Sequence, residues 1–148
     1  MIRLQTSLPT VAFCGYGRAG KDEAGMALYK ISPLRYTGSL SWVGLPIVAA
    51  RLKLPEQVAW ELRHYRRAEW KDILNEYRAS PDPDGVVDHS RLIKAGLARG
   101  EIVVGIRDRI ELLEARKQNL LTHIIWVSRP GTPIDPTVTY TSKDCDIE

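Results

Sequence analysis

Seven consecutive residues, Gly15, Tyr16, Gly17, Arg18, Ala19, Gly20 and Lys21, have the G-x-x-x-x-G-K spacing of a loop that holds phosphate. That chemistry requires those residue types. Glycines let the main chain curl until successive N–H groups converge on phosphate oxygens, a following helix points its positive end at the same place, and a lysine ammonium reaches the outer phosphates. The apolar run Val11, Ala12, Phe13 and Cys14 enters the turn as a buried strand, and helix-forming residues leave it. Asp22 stands where a Ser or Thr hydroxyl usually ligates magnesium. Its carboxylate can hold the metal directly or through water, or, like Glu23, sit at a helix N-terminus where the dipole favours negative charge.

Gly15, Gly17 and Gly20 also spell G-x-G-x-x-G, the dinucleotide-binding pattern. Two features favour the phosphate loop. Lys21 directly follows the last glycine, and no Asp or Glu occurs between Glu23 and Glu56, where a ribose-binding carboxylate would be needed. Arg35 is a receiver for a 2′-phosphate, so a phosphorylated dinucleotide is disfavoured but stays open. The bland alternative is a glycine-rich turn with no ligand.

Other residues could grip a second anion. Arg63, Arg67 and Lys71 recur at i, i+4 and i+8 with Arg66 beside them, a basic face that serves either a phosphate group or solvent. His64, His89 and His123 have no ligand spacing and read as structural.

The elements that must position these groups follow from periodicity and punctuation. The first helix is expected from Asp22 to Lys30, stopping before Ser32-Pro33 because the residue before proline avoids the helical region. Residues 31–46 show no helical period and contain two prolines and two glycines. They read as a substrate-side loop whose Tyr36 and Trp42 either recognise a base or pack over the core. Pro55 opens a long helix to about Arg78, with Ala59, Leu62, Trp70, Ile73 and Tyr77 near one face. Residues 79–87 are a turn-rich connector, followed by a short helix capped by Asp88 or Ser90 and ended by Gly100. A second strand is expected over Glu101–Ile106, a helix from about Arg109 to Asn119, and a third strand over His123–Val127. The stretch from Pro130 onward reads as an extended arm. Strand and helix alternate, which predicts an α/β domain with a mostly parallel sheet and ligands at the strands' C-terminal ends. That edge gathers Gly15–Lys21, Arg107–Glu111 and Arg129.

Composition sets the bounds. A chain of 148 residues suits one domain with a single core. No apolar run approaches 18 residues and the N-terminus lacks a charged-then-apolar leader, so a cytosolic protein, neither membrane-spanning nor exported, is expected. Cys14 and Cys145 lack metal spacing and read as free thiols. Residues 1–72 carry 11 Lys/Arg against 6 Asp/Glu and residues 73–148 carry 10 against 12, a balance of +5 and −2. An anionic ligand on the N-terminal half fits this better than nucleic acid, which calls for a stronger basic stripe and interleaved aromatics.

With these residues placed, the chain resembles the phage-type deoxynucleoside monophosphate kinases, a branch of P-loop kinases. AFCGYGRAGKD is similar to that family's G-x-x-x-x-G-K-D, in which Asp commonly follows the lysine. VVGIRDRIELLEA is similar to its second-strand motif, mapping to Arg107 and Glu111, and WVSRPGTPID to its final-strand motif, mapping to Arg129, Pro130 and Gly131. Together these cover about a third of the chain. The resemblance implies a small three-layer P-loop NTPase-like fold, with residues 31–100 on the substrate side. It implies transfer of the terminal phosphoryl of ATP to a nucleoside monophosphate in the host cytosol, with or without a homodimer. Lys21 and the loop from Gly15 to Asp22 would hold ATP, and Asp22 or Asp108 would place Mg²⁺. Arg107 and Arg129 would neutralise the transferring group, while Arg35, Trp42, Arg63, Arg67 and Glu111 would meet the acceptor. A binding-only P-loop protein is the alternative, and a dinucleotide-dependent oxidoreductase a more distant one.

Overall fold

An unbroken apolar run is a strand buried on both faces, and β1 (Val11–Cys14) is buried at every position. The computed structural model describes residues 8–148. After the glycine turn comes α1 (Lys21–Ile31), with Asp22 and Glu23 in its first turn and Lys30 in its last, as the helix dipole favours. Then follow β2 (Tyr36–Ser39), α2 (Leu40–Val43), α3 (Leu45–Leu52), α4 (Glu56–Leu62), α5 (Arg67–Ala79) and α6 (Arg91–Leu97). The chain continues through β3 (Ile102–Val104), α7 (Arg109–Lys117) and β4 (His123–Trp126).

The four strands form one parallel sheet in the order β2-β3-β1-β4. Side chains alternate across it. Val11, Phe13, Ile102 and Val104 meet Ala24 and Leu28 of α1, while Ala12, Cys14, Val103, Ile124 and Trp126 join a larger core with the other helices. The result is the expected α/β fold of three layers, with β1 central and its C-terminal turn facing the neighbouring strand ends. Among the described residues no helix is long and apolar enough to cross a membrane. Cys14 and Cys145 are free thiols.

Three expectations need correction. Residues 31–46 are not a loop: Tyr36–Ser39 pairs with β3, Tyr36 opposite Ile102 and Ser39 opposite Val104. The small polar residues that hid the strand have local tasks. Gly38 takes φ 86°, Ser39 caps α2 through the Trp42 N–H, and Gly44 ends α2 and starts α3, with Pro46 in the first turn. Second, the helix expected from Pro55 to Arg78 is two helices. The Trp60 carbonyl accepts from both the Arg63 N–H and the Arg63 guanidinium, and Arg66 leaves helical geometry at φ −116°, ψ 41°. His64 and Tyr65, weak helix formers, do not resist the break.

Third, the arm from Pro130 onward is folded back over the sheet. Val138 and Tyr140 are buried, and the Thr139 N–H donates to the Arg107 carbonyl at 2.9 Å. Beyond a 3-10 turn (Ser142–Asp144), Ile147 lies parallel to β4 opposite Ile125, and its carbonyl accepts from the Trp126 N–H at 2.7 Å. Ion pairs Arg109–Asp144 and Arg116–Asp146 fasten this end to α7.

Candidate functional site

The turn after β1 adopts backbone that few residues tolerate. Gly15 has φ 143°, and a Cβ there would lie 2.5 Å from the Val127 carbonyl oxygen, so only glycine fits. Gly20 at φ 97° starts α1, and Arg18 also has positive φ, at 66°. Lys21 is buried, and its Nζ donates to the Gly15 carbonyl at 2.9 Å, curling the side chain back into the turn. Burial, then the nearby Arg107, pulls its pKa below the usual lysine value, against the opposing pull of Asp135, Cys14 and Asp22. A buried ammonium with no ion-pair partner among the described residues is a place where an entering anion is favoured. Among the described residues no acceptor meets the N–H groups of Gly20, Lys21 or Asp22, the unsatisfied donors of a helix start. The Gly17 N–H is different: it donates to Asp135 Oδ2 at 3.1 Å.

Beside the turn opens a cleft of about 870 Å³, at the C-terminal ends of β2 and β3 and roofed by α2, α4 and α5. Six of its lining residues are cations, Lys21, Arg63, Arg67, Lys71, Arg78 and Arg107, against two carboxylates, Asp22 and Asp108. Such a surplus attracts an anion and repels a second cation. One wall is aromatic. Trp42 stands edge-on to Trp60 with centroids 5.0 Å apart, and Trp60 meets Trp70 at 6.2 Å. Trp42 keeps 46% of its surface exposed, so one of its faces is available to a planar ligand. Both the Trp70 Nε1 and Glu111 Oε1 are buried without a hydrogen-bond partner.

The two carboxylates each have one oxygen engaged. Asp22 Oδ1 accepts from the Tyr36 hydroxyl at 2.8 Å, and burial together with that bond raises the tyrosine's pKa. Asp108 Oδ1 caps α7 by accepting from the Ile110 N–H at 3.0 Å, and also from the Thr139 hydroxyl at 3.4 Å. No group of three or more His, Cys, Asp or Glu side chains gathers to hold a metal unaided among the described residues. Magnesium bound with a nucleotide needs only one or two carboxylates, because phosphates and water supply the rest of its octahedron. Asp22 and Asp108, hard oxygen donors lining one cleft with Lys21, fit that requirement.

The structure brings Lys21, Asp22, Trp42, Arg63, Arg67, Arg107 and Asp108 to one cleft, while Gly15–Gly20 do not line it and Arg129 meets that turn by donating to the Arg18 carbonyl at 3.3 Å. It does not bring Arg35. That side chain is paired with Glu101 at 3.0 Å beside the N-terminal ends of β2 and β3, away from the cleft, so it serves neither an acceptor nor a 2′-phosphate. Glu111 is corrected in kind. It is 1% exposed, does not line the cleft, and accepts from Arg78 Nε at 2.6 Å, so it positions an arginine that does. Burial pushes its pKa up to about 7, outweighing the Arg78 guanidinium that pulls the other way. Arg63 is partly committed, its guanidinium 3.8 Å from the Trp60 ring centre and bonded to the Trp60 carbonyl.

Several site residues were not anticipated. Arg78 and Asn75 lie on the face that Arg67 and Lys71 share, at i+11 and i+8 from Arg67, so extending the periodic count would have found them. Trp60, Trp70 and Thr137 carry no such signal, and neither does Asp135, whereas Tyr36, expected in the substrate-side stretch with Trp42, does line the cleft. No protein-family model, curated protein or solved structure matches the chain.

Proposed function

We propose that the protein transfers the terminal phosphoryl group of ATP to a nucleoside monophosphate, giving the diphosphate. The observation that carries this reading is the buried Lys21 ammonium, held in a glycine turn whose N–H donors stand open at the start of α1. Next to it lies a cleft large enough for a nucleotide, lined by cations and with tryptophans on its wall. Phosphoryl transfer asks a protein mainly for positioning and charge stabilisation.

In this reading the turn amides and Lys21 hold the β and γ phosphates of the donor. Arg67, Lys71 and Arg78 hold the acceptor phosphate, Trp42 presents a face to the base, and Arg107 stands between the two groups. Asp22 and Asp108 would hold Mg²⁺, which would supply neutralisation of the charge on the phosphates. The cytosol, where ATP and monophosphates occur together, is the compartment this activity fits.

The test is incubation with ATP, Mg²⁺ and a panel of ribo- and deoxynucleoside monophosphates, with diphosphates as the readout. Lys21→Ala is expected to abolish transfer while circular dichroism stays that of the native fold; turnover retained by this variant would reject the role of the lysine. Binding of ATP with no diphosphate from any monophosphate would leave a nucleotide-binding protein without transfer.

A further inference from the structure

Asp135 is an acid whose carboxylate reaches the glycine turn from the far end of the chain. Its Oδ2 accepts from the Gly17 N–H at 3.1 Å and from Arg107 Nη1 at 3.0 Å, so one oxygen joins the glycine turn to an arginine of the cleft. The approach is close enough that a Cβ on Gly17 would lie 3.1 Å from that oxygen. The other oxygen is held within the arm: Oδ1 accepts from the Thr137 N–H at 2.9 Å and the Thr137 hydroxyl at 2.6 Å. The two oxygens thus have separate duties. Oδ2 can leave the turn without dissolving the local structure that Oδ1 maintains.

The electrostatics give the contact a reason. Lys21 and Arg107 repel one another, and Asp135 lies where it offsets that repulsion. A bound polyphosphate would supply the same negative charge to the same donors, and Gly17 and Arg107 cannot serve both at full strength. The arm is lightly packed ahead of its anchors. Gly131 has φ 81° with open space around its α-carbon, and residues between it and Thr137 are exposed or half-buried, whereas Val138 and Tyr140 beyond them are buried anchors.

We infer that Asp135 is an internal counter-anion that occupies the donor-phosphate position, and that an incoming polyphosphate displaces its Oδ2 from Gly17 and takes its place on Arg107, whose Nη1 stays anchored by the bond it donates to the Thr137 hydroxyl at 2.7 Å. This rests on the phosphate-site reading of the glycine turn. Asp135 is then a positioning residue: it acts through Arg107 and need not touch the reacting atoms.

Isothermal titration with inorganic tripolyphosphate, ATP with Mg²⁺, and adenosine separates the outcomes. Asp135→Asn removes the competing charge, so tripolyphosphate and ATP are each expected to bind about fivefold tighter or better. Adenosine, which lacks phosphate, should gain nothing. Asp144→Asn removes a charge from the same arm at its Arg109 pair and should leave all three affinities unchanged. If Asp135→Asn does not fold, Asp135→Ser removes the same charge and leaves in place the Thr137 hydroxyl that also accepts from Arg107 Nη1 at 2.7 Å, and should shift affinity the same way. Binding to the native chain that is unchanged or weakened by Asp135→Asn overturns this inference and leaves the phosphate site standing. Failure of either polyphosphate to bind any of these proteins overturns both.

Discussion

At the scale of single residues, the site depends on backbone and charge placed where ordinary side chains would fail. Gly15→Ala puts a methyl group against the Val127 carbonyl at a φ that L-residues avoid, so a loss of about 2 kcal/mol or more is expected in urea unfolding. Glu111 makes a different prediction. Its pKa in the folded protein, about 7, lies above its ordinary 4.5, so the native state binds the extra proton between these values. The stability contributed by this group is present below pH 4.5 and is lost as pH rises through 7, on the order of 3 kcal/mol in all. Thermal unfolding of Glu111→Gln against pH should show that fall flattened. The slope is the readout, because the substitution also weakens the partner of Arg78 and lowers stability at every pH.

At the scale of elements, the cleft depends on α5. Arg67, Lys71, Asn75 and Arg78 run along the side of the helix that borders the cavity, and Trp70 and Leu74 border it from the buried side. In the proposed reaction Lys71→Gln should raise the KM for the monophosphate about tenfold and leave kcat within about twofold, as loss of uniform binding does. Initial rates over a monophosphate series check this. The elements also show how far residue types could be read forward. β1, α1, β3, α7 and β4 were legible because apolar runs and glycine or Asp caps mark them without ambiguity. β2 was not, because Tyr36-Thr37-Gly38-Ser39 is an edge strand whose pairing comes from β3 and not from its own pattern. The division between α4 and α5 was equally hidden, since no proline or glycine marks it and the side chain that breaks it, Arg63, reads as one more basic residue.

The same division between local and distant causes runs through the site. The glycine turn and Lys21 act with neighbours in sequence, so their spacing announces them. Arg35 has the right charge and the wrong end of the sheet, a fact fixed by its pairing with Glu101 some 66 residues away. Glu111 and Asp135 owe their behaviour to Arg78 and Gly17, at separations of 33 and 118 residues, which no spacing rule could reveal.

At the scale of the whole molecule, residues 130–148 hold the sheet and the site together. The Ile124 N–H donates to Asp146 Oδ2 at 2.8 Å and the Trp126 N–H to the Ile147 carbonyl. Removing residues 142–148 strips these partners and two ion pairs with α7, and the melting temperature should fall by several degrees, about 2–4 °C for each 1 kcal/mol lost at this size. Differential scanning calorimetry measures it directly.

The cover that Ile147 lays along β4 has a bearing on how copies of the chain can meet. A bare outer strand is a template on which a neighbour can add another, growing ribbons that end in precipitate. Here that margin is already claimed by Asp146 and Ile147, so two sheets cannot fuse along β4 unless those residues peel away. Conditions or tags that loosen them should favour clumping before the core itself gives way.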